Sequence, residues 1–226
     1  METVLDGKSS INVKWLTMWK LLSDDEKETK YEETPRTFPH QLNSFKYAPR
    51  IQTNEQFGDG IRVEDYAAQD GGDTEAVIRG YTDGDNEYIF GETTKNGISV
   101  STSDDVVPYV CTAYATERPD GLLNLYKFPK VKWMPQGEDS QQRTGSQVNY
   151  GTAQLKGSYS PLLSTHEDSY KMYGVDPVKD KAIIDAWFAD ALPDLEGTEG
   201  YADKTPVELE KPVDAEGEDP SAEDDD

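Results

Sequence analysis

Cysteine and histidine are nearly absent from this 226-residue chain: Cys111, His40 and His166 are all it has. A single cysteine excludes an internal disulfide framework and fits a reducing compartment. Clustered Cys and His at metal spacing are missing, so no zinc site is expected. A nucleophile needs a base oriented by a third group, and no Gly-x-Ser-x-Gly elbow accompanies the two histidines. Each His therefore reads as a loop or surface residue. No run approaches the roughly 18 apolar residues of a membrane helix, and the N-terminus lacks the basic-then-apolar layout of a signal peptide. There is no Asn-x-Ser/Thr acceptor to hint at secretion. Positive charge is scarce too, with 22 Lys+Arg against 45 Asp+Glu and a net charge of −23. Such a surface repels phosphates, which argues against tight nonspecific binding to nucleic acid or anionic membranes.

What is present is unevenly spread. Residues 194–226 hold 14 acidic and 2 basic residues, a net of −12, against −11 for the preceding 193. The tail has little to bury and reads as disordered and solvating, with a docking role as the sharper alternative. The chain thus divides into a body, 1–193, with an N-terminal arm, 1–44, and an acidic tail, 194–226. The body is long enough to bury a real core.

Within the body, residues 11–22 fit two periods. Ile11, Trp15, Met18, Trp19 and Leu22 share a helix face, whereas Val13, Trp15, Thr17, Trp19 and Leu21 share a strand face. Ser23 to Thr37 is charged and reads as a loop. From about 45 to 160 the chain is β-rich. Short runs such as Ile61–Tyr66, Ala76–Tyr81 and Val107–Tyr114 are separated by turn signals at Gly71-Gly72-Asp73, Asp83-Gly84, Asn96-Gly97 and Pro119-Asp120-Gly121. The pair 107–116 and 122–134 is the best hairpin. Pro108 and Pro129 belong at strand starts, edges or bulges. Several such strands predict a mainly β fold, a sandwich or partial barrel. A long polar stretch, 135–147, precedes a strand-like segment, Val148–Tyr159; a loop of that length usually binds something or is disordered. One helix is predicted over 177–191, with Asp176 as cap, Pro177 in the first turn, and Val178, Ala182, Ile183, Ala186, Trp187 and Asp190 on one stripe.

Candidate chemistries are thin. Cys111 sits in an apolar strand pattern and reads as a buried thiol. Asp83-Gly84-Asp85-Asn86-Glu87 fails as a calcium loop, because position six is Tyr88 and position twelve Thr94. Gly58-Asp59-Gly60 lacks the third glycine and the lysine of a phosphate loop. Asp24-Asp25 and Asp104-Asp105 are adjacent carboxylates, but glycoside hydrolysis needs pairs separated across a bond. The 13 Tyr and 4 Trp suit core and interface packing better than a stacking face for a ligand. No catalytic residue, cofactor or metal is expected, and the chain reads as a non-enzyme.

An ordered set of segments carries a resemblance. It comprises Phe57-Gly58-Asp59-Gly60-Ile61-Arg62-Val63-Glu64, Gly71-Gly72-Asp73-Thr74-Glu75-Ala76-Val77-Ile78 and Ser103-Asp104-Asp105-Val106-Val107-Pro108-Tyr109-Val110. Leu125-Tyr126-Lys127-Phe128-Pro129-Lys130-Val131-Lys132-Trp133, the Pro135-Gln136-Gly137-Glu138-Asp139 loop, Leu155-Lys156-Gly157-Ser158-Tyr159 and Ala186-Trp187-Phe188 follow in order. Over about residues 7–190 the sequence resembles the major tail protein, or tail tube, family of long flexible-tailed bacteriophages. The resemblance implies a tail-tube β-sandwich or partial barrel with one flanking C-terminal helix. It also implies a short helix over Asp83–Glu92, a Gly- and Asp-rich segment here, and favours a strand over a helix for 11–22. Copies would form hexameric rings stacked into a hollow tube that conducts DNA through its lumen without binding it. Partners would be the chain itself, a tape measure protein, tail terminator and tail tip proteins and a chaperone, with no membrane. The place would be the virion tail, after assembly in the host cytoplasm. Candidate inter-ring and inter-subunit contacts lie on the arm, at Trp15 and Trp19, and on the loop, at Glu138, Asp139, Gln141, Gln142 and Arg143. The alternatives are another virion decoration or adhesion module that forms no tubes and, further off, a carboxylate-based hydrolase.

Overall fold

A computed structural model describes residues 9–58, 61–82, 84–134, 136, 138–139 and 151–195, with side chains left undescribed at 54–58, 61–67 and 138–139. The fold is mainly β. In chain order the strands are β1 (Asn12–Asp24), β2 (Thr29–Tyr31), β3 (Arg36–Phe38), β4 (Leu42–Gly58) and β5 (Ile61–Ile78). Helix α1 (Asp85–Phe90) follows, then β6 (Thr93–Lys95), β7 (Ile98–Val100), β8 (Tyr109–Glu117) and β9 (Leu123–Met134). The chain continues with β10 (Glu138–Asp139), β11 (Thr152–Tyr159), β12 (Tyr170–Val175) and helix α2 (Lys181–Ala189).

Ten strands form one antiparallel sheet with the path β2-β1-β8-β9-β11-β5-β4, and β6-β7 form a separate hairpin. The large sheet curls on itself. Strands β8 and β4 stand four steps apart along the path, about 19 Å in a flat sheet. Yet the rings of Phe45 on β4 and Tyr114 on β8 stack at 4.0 Å. The concave side holds the main core, with Met18, Ile78, Phe128, Val131, Trp133 and Leu155 fully buried.

Strand β8 serves both sides. Val110 and Tyr114 enter the main core, while Cys111, Ala113 and Ala115 face the convex side beneath α2. A strand covered on both faces shows a continuous apolar run rather than an alternation, which is the pattern of 110–116. Its partner β9 changes sides midway. Val110 pairs with Val131 but Thr112 pairs with Phe128, so Cys111 faces two residues, Pro129 and Lys130. This bulge carries the proline where no ladder donor is needed. It also moves the inward set from Tyr126 and Phe128 to Val131 and Trp133.

Several expectations are corrected. Residues 11–22 are strand, as the resemblance favours, but β1 lies inside the sheet between β8 and the short β2 and β3, so from Asn12 onward it is no free arm. The charged stretch 23–37 is not only loop: it holds β2 and the start of β3, held by β1's outer edge. Between them the Tyr88 hydroxyl takes the ladder's place, accepting from the Lys20 N–H at 2.9 Å and donating to the Met18 carbonyl at 3.2 Å. Gly71-Gly72-Asp73 is not a turn, because β5 continues through it. Gly71 has φ +62°, and a Cβ there would run into the Tyr159 carbonyl, while one at Gly72 would meet the Ala48 carbonyl and the Tyr159 ring. The glycines therefore let a long strand kink and be approached closely.

Helix α1 does form over Asp85–Phe90. The buried Asp85 carboxylate accepts from Arg36 Nη2 at 2.6 Å and from the Thr82 N–H and hydroxyl, both at 2.6 Å. Helix α2 begins four residues later than predicted. Asp176 Oδ1 accepts from the N–H groups of Val178 and Lys179 in a turn before the helix. The buried stripe is Ile183, Ile184 and Trp187, leaving Val178 and Ala182 exposed. The Asn96-Gly97 and Pro119-Asp120-Gly121 signals do mark hairpin turns, β6-β7 and β8-β9.

Candidate assembly surfaces

The seat of α2 fixes the first surface. A helix C-terminus presents carbonyls with no intrahelical donor. Here Lys127 Nζ, wholly buried, donates to the carbonyls of Trp187 and Asp190, each at 2.6 Å. The ammonium also lies 5.0 Å from the ring centres of both Trp19 and Trp187. Burial pushes its pKa down to about 8. The neighbouring Cys111 thiol donates to the Ala191 carbonyl at 3.2 Å, and burial pushes it up to about 12. It is the buried thiol that the apolar pattern predicts.

This arrangement separates the two tryptophans named as contact candidates. Trp19 is 1% exposed and packs with Cys111, Ala113 and Ala191. It is corrected as a candidate: its indole is committed to the chain's own interior and offers no surface. Trp15 is 44% exposed. A bulge in β1 between Lys14 and Thr17 gives it φ +60°, and its ring meets Phe188 edge-on at 5.8 Å. Beside it runs a groove of about 570 Å³ between α2 and the β1-β3 edge, floored by Phe38, Ile184 and Phe188.

Of the loop candidates, Glu138 and Asp139 form β10, paired with Ala153 and Thr152 of β11. Gln141, Gln142 and Arg143 lie outside the described residues, as does the acidic tail beyond Leu195. His40 and His166 are exposed, each with positive φ.

The second surface was not anticipated from the sequence. Strands β4 and β5 have 17 and 18 residues and pair from Leu42–Ile78 out to Gly58–Ile61. Strand β11 supports β5 only as far as Gly72. Beyond that point, among the described residues, the hairpin's strands pair only with each other. Nine residues from Gln69 to Ile61 span roughly 30 Å. One side chain ties its base to the body: Gln69 Nε2 donates to Asp168 at 2.6 Å. The signal for this arm was Gly58-Asp59-Gly60, which tests poorly as a phosphate loop but stands between two long runs as a turn does. On β4, Pro49 sits at the register shift opposite Gly72, and among the described residues no strand pairs with the far side of β4.

No family model matches this chain, and no curated protein matches it. Among solved structures it is similar to a chain of the 6-fold symmetrised cryo-EM structure of the anti-feeding prophage (AFP) baseplate, at 5% identity and a TM-score of 0.36, over 73% of this chain and 95% of that one.

Proposed function

We propose that this chain is a structural virion protein, the subunit of a phage tail tube. Copies associate into hexameric rings, the rings stack, and the resulting hollow tube conducts DNA. The observation that carries the reading is the outer half of the β4-β5 hairpin. A two-stranded ribbon is marginal in water by itself, and an open edge invites pairing; both are satisfied when a neighbouring subunit covers them. The ordered segments from Phe57 to Phe188 support the same reading. So does the charge: acidic groups toward a lumen repel phosphates and leave DNA centred and mobile. Tape measure, terminator and tip proteins would bound the tube's length and ends. The loop at 135–147 would bridge successive rings.

Negative-stain electron microscopy of concentrated protein, with the same chain sought in intact phage tails, tests this. Stacked rings or hollow tubes in either sample are the expected result. Monodisperse particles together with absence from the tail tube would overturn it in favour of a non-polymerising virion module. Deleting 138–146 is expected to leave a folded monomer that forms no tubes.

A further inference from the structure

Helix α2 covers only part of the convex side. Its Ile184 and Trp187 lie over Ala115, Leu123 and Leu125, on β8 and the first half of β9. Past the Pro129-Lys130 bulge the same side of the sheet continues over β11, β5 and β4. Phe45, Ala76, Leu155 and Trp133 pack in the concave core, so strand alternation puts Lys46, Glu75, Lys156 and Met134 on the outside. These four stand in one cross-strand row and line a shallow depression of about 370 Å³, with Met134 53% exposed. The next row holds Ala48, Asp73, Ser158, Lys132 and Tyr109.

This face is basic in an acidic chain. With its margin it carries Lys46, Arg50, Lys130, Lys132 and Lys156 against Asp24, Asp73 and Glu75, a net of +2 where the whole chain is −23. The acids of β10, Glu138 and Asp139, pair with the start of β11 and bound the face there. Its own carboxylates are engaged: Asp24 by Lys130 at 2.6 Å, Asp73 by Arg50 at 2.9 Å and Glu75 by Lys156 at 3.9 Å. Among the described residues no carboxylate forms an ion pair with Lys46 or Lys132. The ammonium groups of Lys130 and Lys132 each lie 5.2 Å from the Tyr109 ring centre.

The chain delivers its most acidic segment to the border of this face. After α2, Ala191 packs on Trp19, Cys111 and Ala113, and its carbonyl accepts from the Cys111 thiol at 3.2 Å. Tyr109 is two residues from Cys111 on the same side of β8, about 7 Å away. Residues 196–226 follow, with 13 acidic residues and 2 basic. Crossing from β8 to β4 takes four strand steps, about 19 Å in a flat sheet, which about six extended residues span. A segment tethered beside a face of opposite charge meets it at an effective concentration of millimolar order, so weak ion pairs suffice.

We propose that the acidic tail, residues 196–226, docks across the open convex face of its own chain, with its carboxylates on Lys46, Lys132 and Lys156. There it takes the place that phosphates would otherwise take on those lysines. The docking does not depend on the tube reading.

Zero-length carbodiimide cross-linking of the dilute full-length chain tests it, with isotope-labelled and unlabelled protein mixed before the reaction. Mass spectrometry then reads which lysines join the tail and whether each link lies within one chain. Links from tail carboxylates to Lys46, Lys132 and Lys156 are expected at least about fivefold above those to Lys95 and Lys179, two exposed lysines away from this face. They should lie within one chain and fade at about 1 M salt. Lys132→Glu with Lys156→Glu is expected to lower the remaining tail links at Lys46 at least about fivefold, with far-UV circular dichroism unchanged. Tail links spread evenly over the exposed lysines of the wild-type chain overturn the docking, whether or not the double variant folds. Links mainly between chains of different label give the face to a second copy's tail and overturn it as well. Tubes seen with either pattern leave the tube reading untouched.

Discussion

The β8-β9 and β4-β5 hairpins are both antiparallel pairs, and they differ in what covers them. The first has a tight turn at Pro119-Asp120-Gly121 and lies between the concave core and α2, so nearly every residue of β8 is buried. The second is nearly twice as long, with 17 residues in β4 against 9 in β8, and among the described residues its outer half is supported by no further strand. Both pairs carry register shifts, one in β8-β9 and three in β4-β5. The difference in cover shows that in this fold stability comes from layers above and below a strand, while reach comes from strand length without layers.

Four measurements break or sharpen that contrast. Trp133, fully buried with its Nε1–H donating to Thr112 at 3.2 Å, belongs to the covered region; Trp133→Ala is expected to cost about 3–5 kcal/mol in denaturant titration. Lys127 supplies a pH signature of the same region. Its native pKa of about 8 lies below the ordinary lysine value of 10.5, so between those values the unfolded chain binds more protons and the native state gains stability as pH rises. The rise reaches up to about 3 kcal/mol, and it is expected to disappear in Lys127→Met. Cys111 acts oppositely above pH 9, since its pKa is raised, and comparing the two proteins cancels that contribution.

Asp24 stands at the margin of the covered region. Its carboxylate accepts from Lys130 at 2.6 Å, Thr29 at 3.0 Å and the Leu163 N–H at 3.1 Å. Burial pushes its pKa up, but those hydrogen bonds together hold it below the usual carboxylate range. Its contribution is present above pH ~4 and lost as pH falls through the depressed native value. Asp24→Ala is expected to cost about 1–3 kcal/mol at neutral pH, and much less in acid. The smallest effect on folding belongs to the arm. Replacing residues 52–68 by a two-residue Asn-Gly turn is expected to change monomer stability by less than about 1 kcal/mol while abolishing assembly. A loss of several kcal/mol there would mean that the outer half is a folded layer after all.

The turns and the buried strand were readable in the sequence because their causes are local. Asn96-Gly97 supplies two positive φ angles in succession, which few other residue pairs allow. The apolar run 110–116 shows two-sided burial directly. The bulges were not readable, and two of the errors trace to them. In β1 the bulge at Trp15 sets Leu16 and Met18 toward the core and leaves Thr17 and Trp19 under α2, so two similar tryptophans receive opposite environments. In β5 a glycine pair that ordinarily marks a reversal instead relieves a clash with Tyr159, a residue 88 positions away in sequence. Helix α2 started late because Asp176 capped a turn rather than the helix itself. Of the candidate contacts, Trp15 and Trp19 share a face in either period, so nothing in the sequence separated the exposed ring from the buried one; the β4-β5 hairpin was missed because its turn signal was weighed only as a phosphate loop.

The bulge at Pro129-Lys130 gives β9 something like two reading frames. Leu123, Leu125 and Lys127 are spelled in one, facing α2; Val131 and Trp133 are spelled in the other, facing the concave core. A single-residue deletion at the junction is then a structural frameshift: it leaves every side chain chemically intact and sends half of them to the wrong face. The proline that occupies the junction marks where the frame turns over.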